Sequence, residues 1–430
     1  MIHKIRSRFL STYLSVVSSI AFYPAFISFS LFLLSFLFLR LENHGITEFL
    51  IENAPYLVID NAETARSILS TLIGGIISLT VFSFSMVMVL LSQASSNFSP
   101  RLLPGLISDK RNQVVLGFYL GTIIYNIIVL ISIEPSGDKY TLNGFSLLSG
   151  IVLGIASLGM FVFFIHSIST GIQINNILEK IFRQSKERLE LLIEKKANVS
   201  DSVAAQNNWE TIKSESAGYY QGVDLDGLQK FAKSKQLKVL LLPYKGEYLL
   251  PNNEVIKYNK KLEEEDIVAL HDFIIYSNSH NVNENYVLGI KQIAEVGIKA
   301  MSPGINDPGT AVMTLDYLTE LIALRMQLDE TEIYIDEEND YKVELSTVNF
   351  ENLIYQSLAA YRQYCKHDII LMEKMIQMLH YLRDQDCKHG KYNDSICKQL
   401  EILKADIQQN IENESDKSKL LDMLENNCST

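Results

Sequence analysis

No charged side chain occurs from Phe9 to Leu39, from Ser67 to Pro100, from Asn112 to Ile133 or from Tyr140 to Leu178. A helix needs about 20 predominantly apolar residues to cross the hydrocarbon core of a bilayer, and each run is long enough. The best spans within them are 12–39, 67–92, 113–133 and 145–169. The first run is too long for a secretory signal peptide and has no clear small-residue cleavage site. A mainly α membrane protein with four transmembrane helices is therefore expected.

Charge divides the chain of 430 residues in the same way. Residues 1–178 hold nine Lys/Arg and eight Asp/Glu, whereas 179–430 hold twenty-nine against forty-two. The second block is acidic, so it lacks the Lys/Arg excess that phosphate neutralisation requires, and nucleic acid is not an expected partner.

The loops orient the spans. Lys4, Arg6 and Arg8 precede the first span without an acid. The loop after it carries Glu42, Glu48, Glu52, Asp60 and Glu63 before Arg66. Arg101, Lys110 and Arg111 then stand against Asp109, and the third loop is short, with Glu134, Asp138 and Lys139. Under the positive-inside rule the N-terminus is cytoplasmic, and four crossings return the C-terminal block to the cytoplasm. Cys365, Cys387, Cys397 and Cys428 all lie in that block, where thiols stay reduced.

Within the spans, small residues recur at intervals of four: Ser70, Gly74 and Ser78; Gly117 and Gly121; Ser146, Gly150 and Gly154. That spacing lets helix backbones approach closely, within one four-helix unit or between copies of the chain. Polar groups at membrane depth are few. Asn126 suits a helix-to-helix hydrogen bond, and His166 lies towards the inner end of the fourth span. After the second span, LLSQASSNFSPRLLPGLISDKRNQ (90–113) holds an uncharged polar tract containing Gln93 and Asn97, then Pro100 and Pro104. Such a tract reads as an interfacial elbow or as a pore mouth whose neutral groups meet ions.

The rest of the chain divides into a helical extension and linker (174–207), a small α+β module (208–260) and a mainly helical cytoplasmic region (261–430). Asp224 suits a helix cap before 225–235, and 237–244 reads as a buried strand. Acidic residues open a helical stretch over 262–280, and ETEIYIDEENDYKVEL (330–345) reads as a surface hairpin. Helices are expected over 286–301, 350–384 and 391–412, with a polar turn holding Cys387 and His389 between the last two. His380, Cys387, His389 and Cys397 do not follow zinc-site spacing. No phosphate-cradling loop, nucleophile elbow or zinc-protease helix is found, so no catalytic residue, metal or cofactor is assigned.

The sharpest break is KAMSPGINDPGTA (299–311). Pro303 disfavours a helical Ser302, and Gly304 can take the left-handed conformation that ends many helices. Asp307 before Pro308 is a strong helix start. Ser302, Gly304, Asn306, Asp307 and Thr310 thus form a helix–loop–helix corner, or a small ligand site if the amides of the second helix are free.

SPGINDPGTA (302–311) resembles the signature of the domain-of-unknown-function 2254 family of predicted bacterial membrane proteins. Residues 92–130, AGYYQGVD (217–224) and 289–308 are similar to that family too. The resemblance implies a bacterial inner-membrane protein with a cytoplasmic domain. Two functions compete: an oligomeric channel or transport-like protein handling ions, and a membrane-anchored sensor or scaffold binding a small cytoplasmic ligand or a partner.

Overall fold

The computed structural model describes residues 21–59, 61–97, 110–133, 143–171, 173–195, 209–277, 285–336, 341–386 and 390–425. The chain forms two compact units, Met1–Asn176 and Ile177–Thr430. It is a mainly helical membrane protein: four long apolar helices come first, then a strand-containing region and C-terminal helices.

In the first unit, α1 is Phe22–Glu42, α2 the short Ile46–Asn53, α3 Ala62–Asn97, α4 Lys110–Ile131 and α5 Gly144–Gly171. The four long helices are apolar enough to span a bilayer. They match the spans expected from the charge-free runs, although residues 1–20 lie outside the described part. The α3 helix continues past Leu90 to Asn97, so the polar tract begins as helix; Pro100 and Pro104 lie outside the described residues.

The small-residue positions differ in use. A Cβ on Gly117 would stand 2.8 Å from Pro24 Cα, and one on Gly121 2.6 Å from Leu31 Cδ1, so both glycines exist to admit α1. Gly154 meets Leu72 of α3, and Gly150 meets Asn126 of α4. At the Ile131 end, Ala62, Ala65, Leu69, Val129, Ile133 and Leu147 form an apolar cluster. The loop acid Glu42 is not free there. Its Oε1 accepts the Ser146 N–H at 2.7 Å, while Thr47 donates its hydroxyl to Oε2 and accepts the Phe145 N–H at 3.1 Å. A carboxylate from one helix thereby caps the start of α5.

The second unit begins within α6 (Ile174–Lys195). Its strands are β1 (Glu210–Lys213), β2 (Gly218–Val223), β3 (Lys238–Leu241), β4 (Tyr248–Leu249), β5 (Glu254–Tyr258), β6 (Ile274–Ser277), β7 (Thr331–Asp336) and β8 (Tyr341–Ser346). One sheet has the order β1-β5-β3-β8-β7, the other β4-β2-β6. Among the described residues, only β3 and β8 pair in parallel. Two helices border the sheets: α7 (Leu225–Lys235), capped by Asp224, and α8 (Glu264–Asp272). Leu228, Ala232, Val239, Leu241, Ile256, Leu270 and Val343 share one core.

Three expectations change here. The stretch 262–280 holds a nine-residue helix followed by β6, because Ile274–Ser277 pairs with β2. The 330–345 hairpin is an integral edge of the larger sheet, with Val343 fully buried. The sheet therefore draws strands from well beyond residue 260. The third is the stretch 350–384, which holds two helices, α11 and α12 below, parted at Lys366–Asp368.

The remaining helices are α9 (Tyr286–Ala300), α10 (Pro308–Arg325), α11 (Phe350–Cys365), α12 (Ile369–Asp386), α13 (Asn393–Asn410) and α14 (Glu414–Glu425). Apart from half-buried positions including Lys291, Glu295 and Lys299, α9 is buried. It packs against α10 and α11. That packing sets the geometry of the corner.

Candidate functional site

The corner begins where α9 runs out of donors. Ser302 N–H bonds the Lys299 carbonyl at 3.0 Å, and the Ser302 carbonyl accepts from Ile305 and Asn306, both at 3.0 Å. Asp307 N–H then reaches back to the Ala300 carbonyl at 2.8 Å and ties the two helix ends together. Asn306 takes the left-handed conformation, with φ of 48°. Gly304 does not have positive φ, and a Cβ there would meet open space. The expected role of Gly304 therefore falls to Asn306, whose short polar side chain tolerates that region better than most.

Asp307 is the N-cap of α10. Its Oδ1 accepts the Thr310 N–H at 3.0 Å and its Oδ2 the Thr310 hydroxyl at 2.6 Å. These bonds to the ionised form, the hydroxyl first, hold the Asp307 carboxyl below the usual carboxylate range. Thr310 is buried, while residues 303–309 are exposed. An anion at this helix start would have to displace a resident carboxylate, so the arrangement suits a corner or a contact with a basic group.

Beneath the corner lies a group that sequence reasoning missed. Tyr361 of α11, fully buried, bonds the Thr314 hydroxyl of α10 at 2.7 Å. Thr314 in turn donates to the Ala311 carbonyl at 2.7 Å. Gly297 of α9 lies directly against this pair. Its place four residues before the break, on a helix buried nearly all round, was the available signal.

The membrane candidates are placed separately. Gln93 and Asn97 fall on α3, with their side chains outside the described residues. His166 is exposed on α5. Asn126 is fully buried, but its Nδ2 bonds the Thr122 carbonyl of its own helix at 3.0 Å. Its Oδ1 lies against Gly150 without a hydrogen-bond donor, so the expected bond between helices is not made. His380 gives an Nε2 contact of 3.1 Å to the Met423 carbonyl, while Cys387 and His389 lie outside the described residues.

The family described as predicted membrane protein (DUF2254) matches residues 17–381. An uncharacterized protein of Mycobacterium tuberculosis is 23% identical over 383 residues, which cover 83% of this chain and 71% of that protein. An uncharacterized protein of Mycobacterium bovis matches to the same extent. No solved structure matches the chain.

Proposed function

This chain belongs to the DUF2254 family of predicted membrane proteins, and on that footing we propose that it is an oligomeric channel or transport-like protein of the bacterial inner membrane. The loop charges support a cytoplasmic position for both termini, and in this reading the second unit serves as a regulatory domain there.

One observation carries the oligomeric reading. Ser70, Gly74, Ser78, Ser85 and Ser92 follow one line along α3, and all are exposed. Nothing lies within 4 Å of a Cβ at Gly74 or Gly75. The glycines of α4 and α5 that face another helix of the unit are occupied by it, whereas this stripe is open. Lipid offers helices no hydrophobic drive to associate, and small residues supply the close packing instead. The same helix ends in the neutral polar tract from Ser92 to Asn97, which suits ions that must bind weakly enough to leave. Copies of the chain meeting along α3 would bring those tracts together, with Gln93 and Asn97 at the mouth.

Cross-linking of Gly74→Cys in native membranes, beside planar-bilayer recording of the purified protein, tests this. Cross-linked oligomers and stepwise currents are expected. A monomer that stays silent across ions and pH would refute it and leave the sensor or scaffold reading in possession.

A further inference from the structure

The last helix, α14, is thinly attached. Its buried residues are Leu420 and Leu424. It packs against α12 and α13 and joins α13 through the short link 411–413. Its ion pairs to those helices, Lys419–Glu373 at 3.0 Å and Glu425–Lys404 at 2.9 Å, lie at the surface, where such pairs contribute little. A helix of this length is marginal in water by itself. The family match ends at residue 381, within α12, so α13 and α14 lie outside the matched part.

One buried bond fastens the last turn of α14. The Met423 carbonyl is among those that a helix end leaves without a partner of its own. His380 of α12, 5% exposed, bonds it through Nε2 at 3.1 Å. A carbonyl only accepts, so Nε2 carries the proton. The other ring nitrogen, Nδ1, is buried with no hydrogen-bond partner. The docked helix therefore fits a neutral imidazole. A second proton would put a positive charge and an N–H group where nothing receives them.

Two charged groups act on this imidazole, both from α12: Arg383 opposes a positive charge and Asp384 favours it, while burial is the largest influence and also opposes it. The charges on the helices packed against α12 are engaged elsewhere. Asp316 of α10 pairs with Lys374, and Arg362 of α11 pairs with Asp406 of α13 at 3.6 Å. On α14, Glu414 pairs with Lys417 and Asp422 is exposed. His367, just before α12, offers a contrast. It is exposed and bonds the Asn410 carbonyl through Nδ1 at 3.0 Å, a bond that survives when its other nitrogen gains a proton.

We propose that α14 is an acid-sensitive clasp, held on α12 and α13 while His380 is neutral and released, with the rest of the unit still folded, when His380 takes a proton. Once the helix has left, water receives both N–H groups, so falling pH favours the released state. The docked pKa lies below the ordinary histidine value. The additional opening therefore begins below about pH 6.5 and grows by up to about tenfold per pH unit until the docked value is reached. Release uncovers the sides of α12 and α13 on which α14 packs. This device does not depend on a conducting membrane unit.

Hydrogen–deuterium exchange of the full chain in lipid nanodiscs, corrected for the intrinsic pH dependence of exchange, tests this. Peptides from 414–425 should open several-fold more at pH 5.5 than at pH 7.5 relative to peptides from 396–410 of α13. His380→Gln, which cannot take the proton, should flatten that ratio, and His367→Gln should keep it. A flat ratio in the unmodified chain overturns the proposal, and so does a pH-dependent ratio that persists in His380→Gln. Equal loss of protection in α13 and α14 would also overturn it, since the unit would then be unfolding as a whole. If His380→Gln does not fold, His380→Asn takes its place under the same criteria, and a flat ratio in the unmodified chain still refutes the clasp.

Discussion

Gly297→Ala is expected to be among the most damaging small substitutions in the second unit. The added methyl would overlap Tyr361 Oη and Thr314 Oγ1 and stand 2.6 Å from Tyr361 Cζ. None of these atoms can retreat cheaply, since both residues are fully buried and their hydroxyls are 2.7 Å apart. Overpacking of a close-packed core costs about 1–3 kcal/mol. Displacing the Tyr361–Thr314 hydrogen bond adds about 0.5–1.5 kcal/mol. The sum is about 1.5–4.5 kcal/mol, against the ordinary gain of about 1 kcal/mol for Gly→Ala inside a helix. Net destabilisation of about 0.5–3.5 kcal/mol follows. The protein's one tryptophan, Trp209, immediately precedes β1, so its fluorescence during denaturant unfolding reports on this unit. Tyr361→Phe should cost about 1 kcal/mol alone and should offset part of the damage when combined with Gly297→Ala. Gly297→Ala unfolding at or above the wild-type midpoint would refute the packing argument.

Two further outcomes follow from the same unit. At the corner, Asp307→Ala should lose about 1 kcal/mol, and Asp307→Asn less, since it keeps the Thr310 N–H bond and gives up only the hydroxyl bond at Oδ2; Asn306→Val should lose about 1–2 kcal/mol through its left-handed backbone, while Gly304→Val should melt like wild type. Thermal melts of the full-length variants check all four, and Asp307→Asn that melts normally but abolishes a growth or transport phenotype would show that the charge itself is used. His380 supplies a pH dependence. Burial first, then nearby Arg383, holds its pKa below the ordinary histidine value, although the Met423 carbonyl and Asp384 oppose that shift. A depressed folded pKa gives stability that is present above the unfolded value of about 6.5 and is lost as pH falls through the folded value. Unfolding midpoints should therefore drop below about pH 6.5, and less steeply in His380→Gln.

How much of this was legible in the sequence depends on the range of the interaction concerned. The spans follow from local composition, since uninterrupted apolar runs leave a chain few alternatives in lipid. The caps at Asp224 and Asp307 follow from a few adjacent residues, and both form. The 262–280 stretch hides a strand, and the 330–345 hairpin forms but lies deeper than a surface position, in both cases because the partners are distant. Ile274–Ser277 becomes a strand by pairing with residues 219–223, and β8 becomes central by lying parallel to β3 a hundred residues earlier. Periodicity within a segment cannot report such partners. Gly304 was misjudged for a different reason: one left-handed residue suffices at this corner, and the chain places it at Asn306.

The α4 helix shows what a fuller reading of one segment could have yielded. Gly117 and Gly121 were recognised as a packing face, and Asn126 as a lone polar group. Placing every residue of the helix on its wheel puts Tyr119 and Thr122 beside Asn126 and the glycines opposite. A two-faced span of this kind needs both a closely packed neighbour and a polar one. Here the glycines admit α1, and Ser83 and Ser146 complete the polar side. Because all the groups on that side are neutral, the helix can remain in the membrane, whereas a carboxylate in the place of Asn126 would impose the far larger cost of a buried charge. Asn126→Asp is therefore expected to lower the yield of membrane-inserted protein sharply, and Asn126→Ser to leave it near wild type. Equal insertion of the two variants, measured by protease protection in isolated membranes, would show that position 126 faces bulk water instead of an occluded interior.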